Sequence, residues 1–537
     1  MTYKYDSAAF RDVFESRFTF IAGFWRNTHR YAERLALRDT DQGRDWTYAE
    51  LGADVRRVAA GLAAHGVRSG DVVTFQLYNS AEFALLYLAS QHLGAIASPI
   101  NFRFSSGETA HVLDDSSPRV YVYDASLAAV ADEALRMSTH VPALTLSSDD
   151  FGILLRHGSL DGEGHPGTAW DETIRLYTSG TTGMPKGVSL PAAAEVLTAH
   201  DVIMHFPLEP QDRTLNMTPW FHRGGISPGG PNAVFYAGAA AVTARSFDPS
   251  AVLDMVSEHR LTFLIGAPTN LAMLTAHQEE RPRDLSSLRG LVTMGAPLER
   301  EACLRYQQVL TPRIFNGYGT TEMFWNTFLR PSDLPEHAGS AGRACTDDDV
   351  RVVRVTEDGP GDPDDLVAKD GSATGEVIMR SLKSGYAYVN NEREQALKFR
   401  DGWLYSGDLG TWDAQEYVTI VGRKDDMIIS GGENVHPVQV EEVLNEHPQV
   451  TDSIVVGLPD ERWGQIVVAY IQTATRDLTP QELDKHAKAH PMLADYKRPR
   501  RYRFVDTLPR TATGKKMHYV IRAGLTDPAE VAALRTP

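Results

Sequence analysis

Apolar positions along this chain recur with two periods. Residues 72–99, VVTFQLYNSAEFALLYLASQHLGAIASP, open with a short apolar run and continue with a helical spacing that includes Phe83, Leu86, Leu88 and Leu93. Gly94 stops the helix, and a second short apolar run follows. Such a series predicts a βαβ unit. The pattern returns further on. TFLIGAPTN (262–270) and LRGLVTMGAPLE (288–299) each carry an apolar run into a Gly-Ala-Pro turn, and RIFNGYGTTE (313–322) runs into Gly-Tyr-Gly. Strands that end in glycine-rich turns predict an α/β sheet with ligands gathered at the strand ends. DGEGHPG (161–167) and EDGPGDPDD (357–365) read as exposed loops or hairpins. Near residue 423 the texture changes. Strand-like runs, DSIVVGLPD and QIVVAYIQTA, then alternate with helical ones. The expected fold class is α/β, with a large N-terminal domain of α/β subdomains over 1–423 and a small α+β C-terminal domain over 424–537.

One polar stretch interrupts these patterns. YTSGTTGMPKGVSL (177–190) places Thr178, Ser179, Thr181 and Thr182 around Gly180 and Gly183, then adds Lys186. Glycines let backbone N–H groups approach an anion, hydroxyls add donors, and the lysine adds a point charge. A grip on phosphate is the reading. It is not a Walker A loop, because Pro185 precedes Lys186 and no Ser or Thr follows it. A plain surface turn needs one or two such residues, not this whole set.

Composition narrows the classes. At 537 residues, 42% hydrophobic and 23% charged, the chain reads as a globular protein of two or three domains. MTYKYDSAAFRDVFES is too polar for a secretory signal, and no run of apolar residues is long enough to span a membrane. Two cysteines, Cys303 and Cys345, exclude a disulfide framework and a cysteine-rich metal site. A reducing cytoplasm is the expected compartment. The net charge of −17 argues against nucleic acid and makes each basic residue near a phosphate site informative.

Separated segments then agree with one another. YTSGTTGMPKG, PWFHRGG, MGAPL, NGYGTTE, GSAGR, YSGDLG, VGRKDDMI, SGGENVHP and RTATGK occur in that order between DWTYAEL (45–51) and RTATGKKMHYVIR (510–522). In this the chain resembles the adenylate-forming superfamily of acyl- and aryl-CoA synthetases, peptide-synthetase adenylation domains and luciferases. The resemblance implies two steps. A carboxylate attacks the α-phosphate of ATP and pyrophosphate leaves; a thiol then attacks the acyl-AMP and AMP leaves. It implies that Thr178 to Lys186 hold the β- and γ-phosphates, Thr321 the α-phosphate, and Glu322 a Mg²⁺ ion. It implies an adenine site from Gly295, Ala296, Pro297, Asn316 and Tyr318, further nucleotide contacts from Gly317, Gly319 and Thr320, and a ribose site from Asp408 and Arg423. Lys515 would bridge carboxylate, ribose and α-phosphate during adenylation. Asp425 would be the hinge of a mobile C-terminal domain, which turns Lys515 toward the site in one pose and SGGENVHP in the other. ATP, Mg²⁺ and CoA are the implied cofactors and co-substrates.

The same resemblance implies the acceptor site, while the acid is read from side chains. Gly431 and Gly432 would line a pantetheine passage, with Trp463 beside it. ADYKRPRRYRF (494–504) sets Tyr496, Arg498 and Arg500 near the thiol entry, and arginine suits the CoA phosphates. PWFHRGG offers Phe221, His222, Arg223 and Gly224 and lacks the aspartate with which amino-acid-activating domains of the family pair the ammonium group, which argues against an α-amino acid. By resemblance to CoA ligases, His222 would pack against the substrate, gate the thiol tunnel and act in catalysis. Met323, Phe324 and Trp325 are bulky, while Thr269, Asn326 and Arg223 are polar, with Gly295 at the turn. This set predicts an aromatic acid of the hydroxy- or amino-benzoate or naphthoate type. The alternatives are a medium-chain fatty acyl-CoA synthetase and a stand-alone adenylation protein that loads a carrier-protein pantetheine. A luciferase-like relative would need oxygen chemistry that no residue here demands. The implied partners are a small carboxylic acid and CoA, with no nucleic acid and no membrane, and a homodimer left open.

Overall fold

The structure is a computed structural model that describes residues 6–162, 164, 167–179, 184–295, 298, 300–355, 361–423, 428–435, 437–473, 477–509 and 518–523. The unit over 72–99 forms a strand, Val72–Gln76, a helix, Ala81–His92, and a strand, Ile96–Pro99, with the two strands parallel. Ser80 caps the helix by accepting the Phe83 N–H. Every side chain from Phe83 to His92 is buried, because the helix packs both on its sheet and under the helix Tyr48–Ala64.

Two large sheets carry the N-terminal part. In the first, nine strands order as Arg343–Ala344, Phe324–Leu329, Ile314–Thr320, Gly290–Met294, Phe263–Gly266, Arg213–Asn216, Ala240–Thr243, Leu35–Asp39 and Arg44–Thr47. Its inner run from Ile314–Thr320 to Leu35–Asp39 is parallel throughout. The second has seven strands, with Glu172–Ser179 between Ile96–Pro99 and Pro185–Pro191, and Ala387–Tyr388 at one edge. One apolar cluster, which includes Phe75, Phe83, Trp220, Phe263 and Phe324, joins both sheets. A third, antiparallel sheet contains Gly375–Ser381 and Trp403–Trp412.

Residues 428–523 build a smaller body. A hairpin, Ile428–Ser430 with Glu433–Val435, precedes the helix Pro437–Asn445. Val450–Asp460 then runs antiparallel to Gly464–Thr473, and Arg501–Val505 lies parallel to the latter. Ile428, Val440, Leu444, Val455, Val467, Leu483 and Tyr502 give this part its own core, as an independently packed unit requires. It docks on the first part where the Gly107 N–H donates to the Pro491 carbonyl at 3.0 Å. Among the described residues no helix is long and apolar enough to cross a membrane.

Candidate active site

The carboxyl ends of both parallel sheets converge on one cavity. Asn101 and Phe104 follow the strand Ile96–Pro99, and Tyr177 and Thr178 end the strand Glu172–Ser179. Phe221, His222 and Arg223 lie in the turn after Arg213–Asn216, and Thr321 follows Ile314–Thr320. Glu433 and Tyr496 close the cavity from the C-terminal part. Sites at strand ends follow from parallel topology, because the loops and N–H groups there face one way.

Glu433 organises the junction. It is 4% exposed. Its Oε1 is ion-paired with Arg103, its Oε2 accepts from Asn101 Nδ2 at 3.2 Å, and His222 Nε2 stands 3.7 Å from Oε2. Burial alone would raise the Glu433 carboxyl, but His222 and Arg103 hold it down at about 2. It is therefore an anion at neutral pH. The hairpin turn that presents it, Gly431-Gly432, has both residues at positive φ, +59° and +80°, which side-chain-bearing residues rarely adopt. The Gly431 N–H donates to the Trp463 carbonyl at 2.8 Å, and a Cβ on Gly431 would lie 2.8 Å from the Trp463 ring. Trp463 itself is 42% exposed.

The residues read as a nucleotide site form a second group. Tyr318 Oη donates to Asp408 Oδ2 at 2.7 Å, and Asp408 lies directly opposite Arg423 in the strand pair Trp403–Trp412 and Val418–Arg423. Asn316 donates to the Ser340 carbonyl at 3.3 Å, while its Oδ1 is buried without a partner. An unmet acceptor suits the amino group of adenine. Tyr388 Oη donates to Glu322 Oε1 at 2.5 Å, and among the described residues no donor meets the other oxygen. That oxygen suits a hard cation. Gly295 has φ +85° and open space where a Cβ would stand. Thr320 Oγ1 accepts the Met323 N–H at 3.3 Å.

Several expectations are corrected. Lys186 is 5% exposed and ion-paired with Glu394 at 2.8 Å, so it does not stand as a bare charge beside the loop. Gly317 and Gly319 answer to packing against the neighbouring strand: a Cβ would lie 2.7 Å from Trp325 and 1.6 Å from the Phe324 carbonyl oxygen respectively. Met323 and Asn326 do not line the cavity. Met323 is fully buried with Val352, Val377 and Met379, and Asn326 donates to Asp348 at 3.1 Å. For Asn326 the cause is a bulge: Tyr318 pairs with Thr327 and Gly319 with Trp325, so Asn326 is the extra residue of that strand. Met323 lies in the turn just before the strand, ahead of Phe324 at φ +64°. Trp325 also turns inward, donating to Asp201. Thr269 faces the C-terminal part, 3.8 Å from where a Gly464 Cβ would be, and a Cβ on Gly224 would lie 2.8 Å from Met294 Sδ. Tyr496 lines the cavity instead of offering a surface face. Arg498 is paired with Asp484 and, at 3.2 Å, with Asp495, while Arg500 donates to the Asp495 carbonyl at 3.3 Å. Gly180, Thr181, Thr182, Gly183, Ala296, Pro297, Asp425 and Lys515 lie outside the described residues, as do the side chains of Ser179 and Arg423.

Sequence reasoning passed over Arg103, Asn101, Tyr388 and Glu394. Asn101 and Arg103 follow the second strand of the first βαβ unit, a position that topology alone marks as facing ligand. Tyr388 and Glu394 carried no local signal; only pairing of Ala387–Tyr388 with Pro185–Pro191 brings them in.

A two-part α/β molecule, with a nucleotide-type site at its strand ends and a second body closing over it, defines an enzyme that works in a cleft between domains. The chain belongs to the AMP-binding enzyme family, whose profile matches residues 24–386, with the AMP-binding enzyme C-terminal domain over 439–515. It is 34% identical to an indoleacetate–CoA ligase of Aromatoleum aromaticum over 91% of this chain and 95% of that one. It is 32% identical to a long-chain-fatty-acid–CoA ligase of Mycobacterium tuberculosis over 89% and 92%. Among solved structures it matches a double mutant of o-succinylbenzoate CoA synthetase from Bacillus subtilis, bound with its product analogue OSB-NCoA. That match has a TM-score of 0.82 and 29% identity and covers 93% of this chain and 98% of that one.

Proposed function

We propose that the protein is an ATP-dependent acid:CoA ligase that acts on an aromatic carboxylic acid, and that the described pose is the one for thioester formation. The observation that carries the reading is Glu433, delivered by the C-terminal hairpin into a cavity it shares with Thr178, His222 and Thr321. In the first step an oxygen of the acid attacks the α-phosphorus of ATP, the bond to the β-phosphate breaks, and pyrophosphate leaves. Tyr318, Asn316 and Asp408 hold the nucleoside, and Thr321 meets the α-phosphate. Glu322, steadied by Tyr388, would hold Mg²⁺, which supplies charge neutralisation for the phosphates. In the second step the CoA sulfur attacks the acyl carbon, the thiol proton goes to solvent or a base, and AMP leaves. Anionic Glu433 then keeps Arg103 and His222 on one side of the cavity. Gly431 and Gly432 leave room for pantetheine beside Trp463.

The relatives named above act on indoleacetate and on long-chain fatty acids. The aromatic rings that line the cavity, Phe104, Tyr177, Phe221 and Tyr496, favour a flat ring over a flexible chain. A cytoplasmic location accords with this chemistry. The test is AMP release that requires both ATP and CoA, across benzoates, naphthoates, arylacetates and C6–C12 fatty acids. An aryl acid should lead. A fatty acid ahead by tenfold, ~1.4 kcal/mol of transition-state binding, overturns the aryl assignment. Acyl-AMP formation without thioester formation on free CoA would overturn the acceptor and favour a carrier protein.

A further inference from the structure

Arg223 is buried at the site without a carboxylate partner. It follows His222 in the turn that lines the cavity and is 5% exposed. Both of its hydrogen bonds leave from Nη2, to Thr198 Oγ1 at 2.8 Å and to the Lys383 carbonyl at 3.0 Å. Its Nε is buried with no partner. The guanidinium carbon lies 5.7 Å from the centre of the Phe324 ring. The carboxylate it feels most is Glu195, yet the two oxygens of Glu195 are taken by Tyr87 Oη and Thr173 Oγ1, at 2.5 Å each. Among the described residues no carboxylate comes within ion-pair distance of Arg223. Burial pushes this guanidinium down to about 10. A buried donor left unmet is costly, and a buried cation more so. Natural sites keep such a group where a ligand completes it.

We propose that Arg223 determines specificity by completing its hydrogen bonding with the substrate: the acid carries, away from its reacting carboxylate, an oxygen acceptor, either a carbonyl or a second carboxylate. This rests on the ligase reading and narrows its substrate class. A substituent that accepts only weakly, such as a ring amine, leaves Nε poorly met and turns donors toward a donor. A hydrocarbon substituent leaves it unmet as well. Sites built around a polar partner discriminate steeply against analogues that lack it, because the protein group is then stranded.

The experiment compares matched acids of one skeleton in the ATP- and CoA-dependent AMP-release assay: 3-phenylpropanoate and its ring-amino, ring-acetyl and ring-carboxy derivatives, and the same series on benzoate. The acetyl or carboxy acid should exceed its unsubstituted and amino counterparts in kcat/KM by tenfold or more. Arg223→Gln should reduce that ratio to near one, and Arg223→Lys should retain part of the preference. The ranking in the native protein stands whether or not a variant folds. If the unsubstituted or amino acid leads in both series, the assignment of Arg223 is overturned and the ligase reading survives. If no acid gives AMP at all, the ligase reading itself falls, and this inference with it.

Discussion

Lys497 and Glu108 form a buried ion pair across the two parts of the molecule, their side chains 1% and 0% exposed. Lys497 Nζ also donates to Gln439 Oε1 at 2.8 Å. Glu108 serves two elements at once. Its Oε2 accepts from the Ser105 N–H and Oγ, both at 2.9 Å, closing the capping box of the helix Ser106–Ser116, while Oε1 takes the lysine. Were the two parts to separate, the helix start would keep its cap and the lysine contact would be lost.

Lys497→Met should therefore disfavour this pose. Leaving one member of a buried pair alone costs ~3–5 kcal/mol, and the molecule escapes that cost by undocking. Thioester formation from supplied acyl-AMP should slow by at least ~10-fold, equivalent to ~1.4 kcal/mol, with acyl-AMP formation little changed. Single-turnover measurement of each half-reaction decides it. Equal losses in both would show that the pair supports the fold and not the pose. Glu108→Ala should in addition lower the melting temperature, because a lost cap costs ~1 kcal/mol.

Docking should also depend on acid pH through Glu433. Its carboxyl is held at about 2 when docked, below the ordinary value of 4.5. A depressed pKa contributes its full stabilisation above the undocked value and loses it as pH falls toward the docked one. Interdomain energy transfer between labels on the two parts should be constant from neutrality to ~5 and then decline. In Glu433→Gln the signal should start lower and be flat over the same range. A native profile without an acid limb would sink the proposal.

Gly431→Ala places a methyl against the Trp463 ring at a backbone angle of +59°. The conformation costs ~1–2 kcal/mol for a residue with a Cβ. The expected result is a slower CoA step with a raised KM for CoA and an unchanged KM for ATP. An unchanged CoA step would mean that pantetheine does not pass between Gly431 and Trp463.

Lys515→Ala should nearly abolish acyl-AMP formation, by ~10²–10³, and spare thioester formation from supplied acyl-AMP. In this pose the hairpin, with Glu433, already occupies the cavity. If both half-reactions fall together, alternation of the two ends of the C-terminal part is disproved.

Much of the fold was legible because it rests on local periodicity. Val72–Gln76, Ala81–His92 and Ile96–Pro99 follow directly from apolar spacing and Gly94. The site was legible where a motif ends a strand, as with Thr178, Thr321 and His222. It was not legible where pairing decides direction. Met323 and Asn326 sit two and five positions past Thr321, yet Asn326 is the extra residue of a bulge opposite Tyr318/Gly319, and Met323 is buried from the turn before that strand. Alternation along a strand transmits such a shift to every later side chain. Nor could spacing show that Lys497, within a run of basic residues, is the one that leaves solvent for Glu108.

The Lys186–Glu394 pair has a consequence for ionic strength. A cation already neutralised by a buried carboxylate adds no long-range field at the mouth of an acidic protein. Whatever residues 178–186 contribute to holding a triphosphate must come from short-range, uncharged donors, which salt screens weakly. Nucleotide affinity should then change little between low and moderate salt, where a grip made of free lysines would weaken steeply. Attraction at a distance would fall instead to groups brought in by the C-terminal part, so capture of the nucleotide and its retention would answer to salt differently.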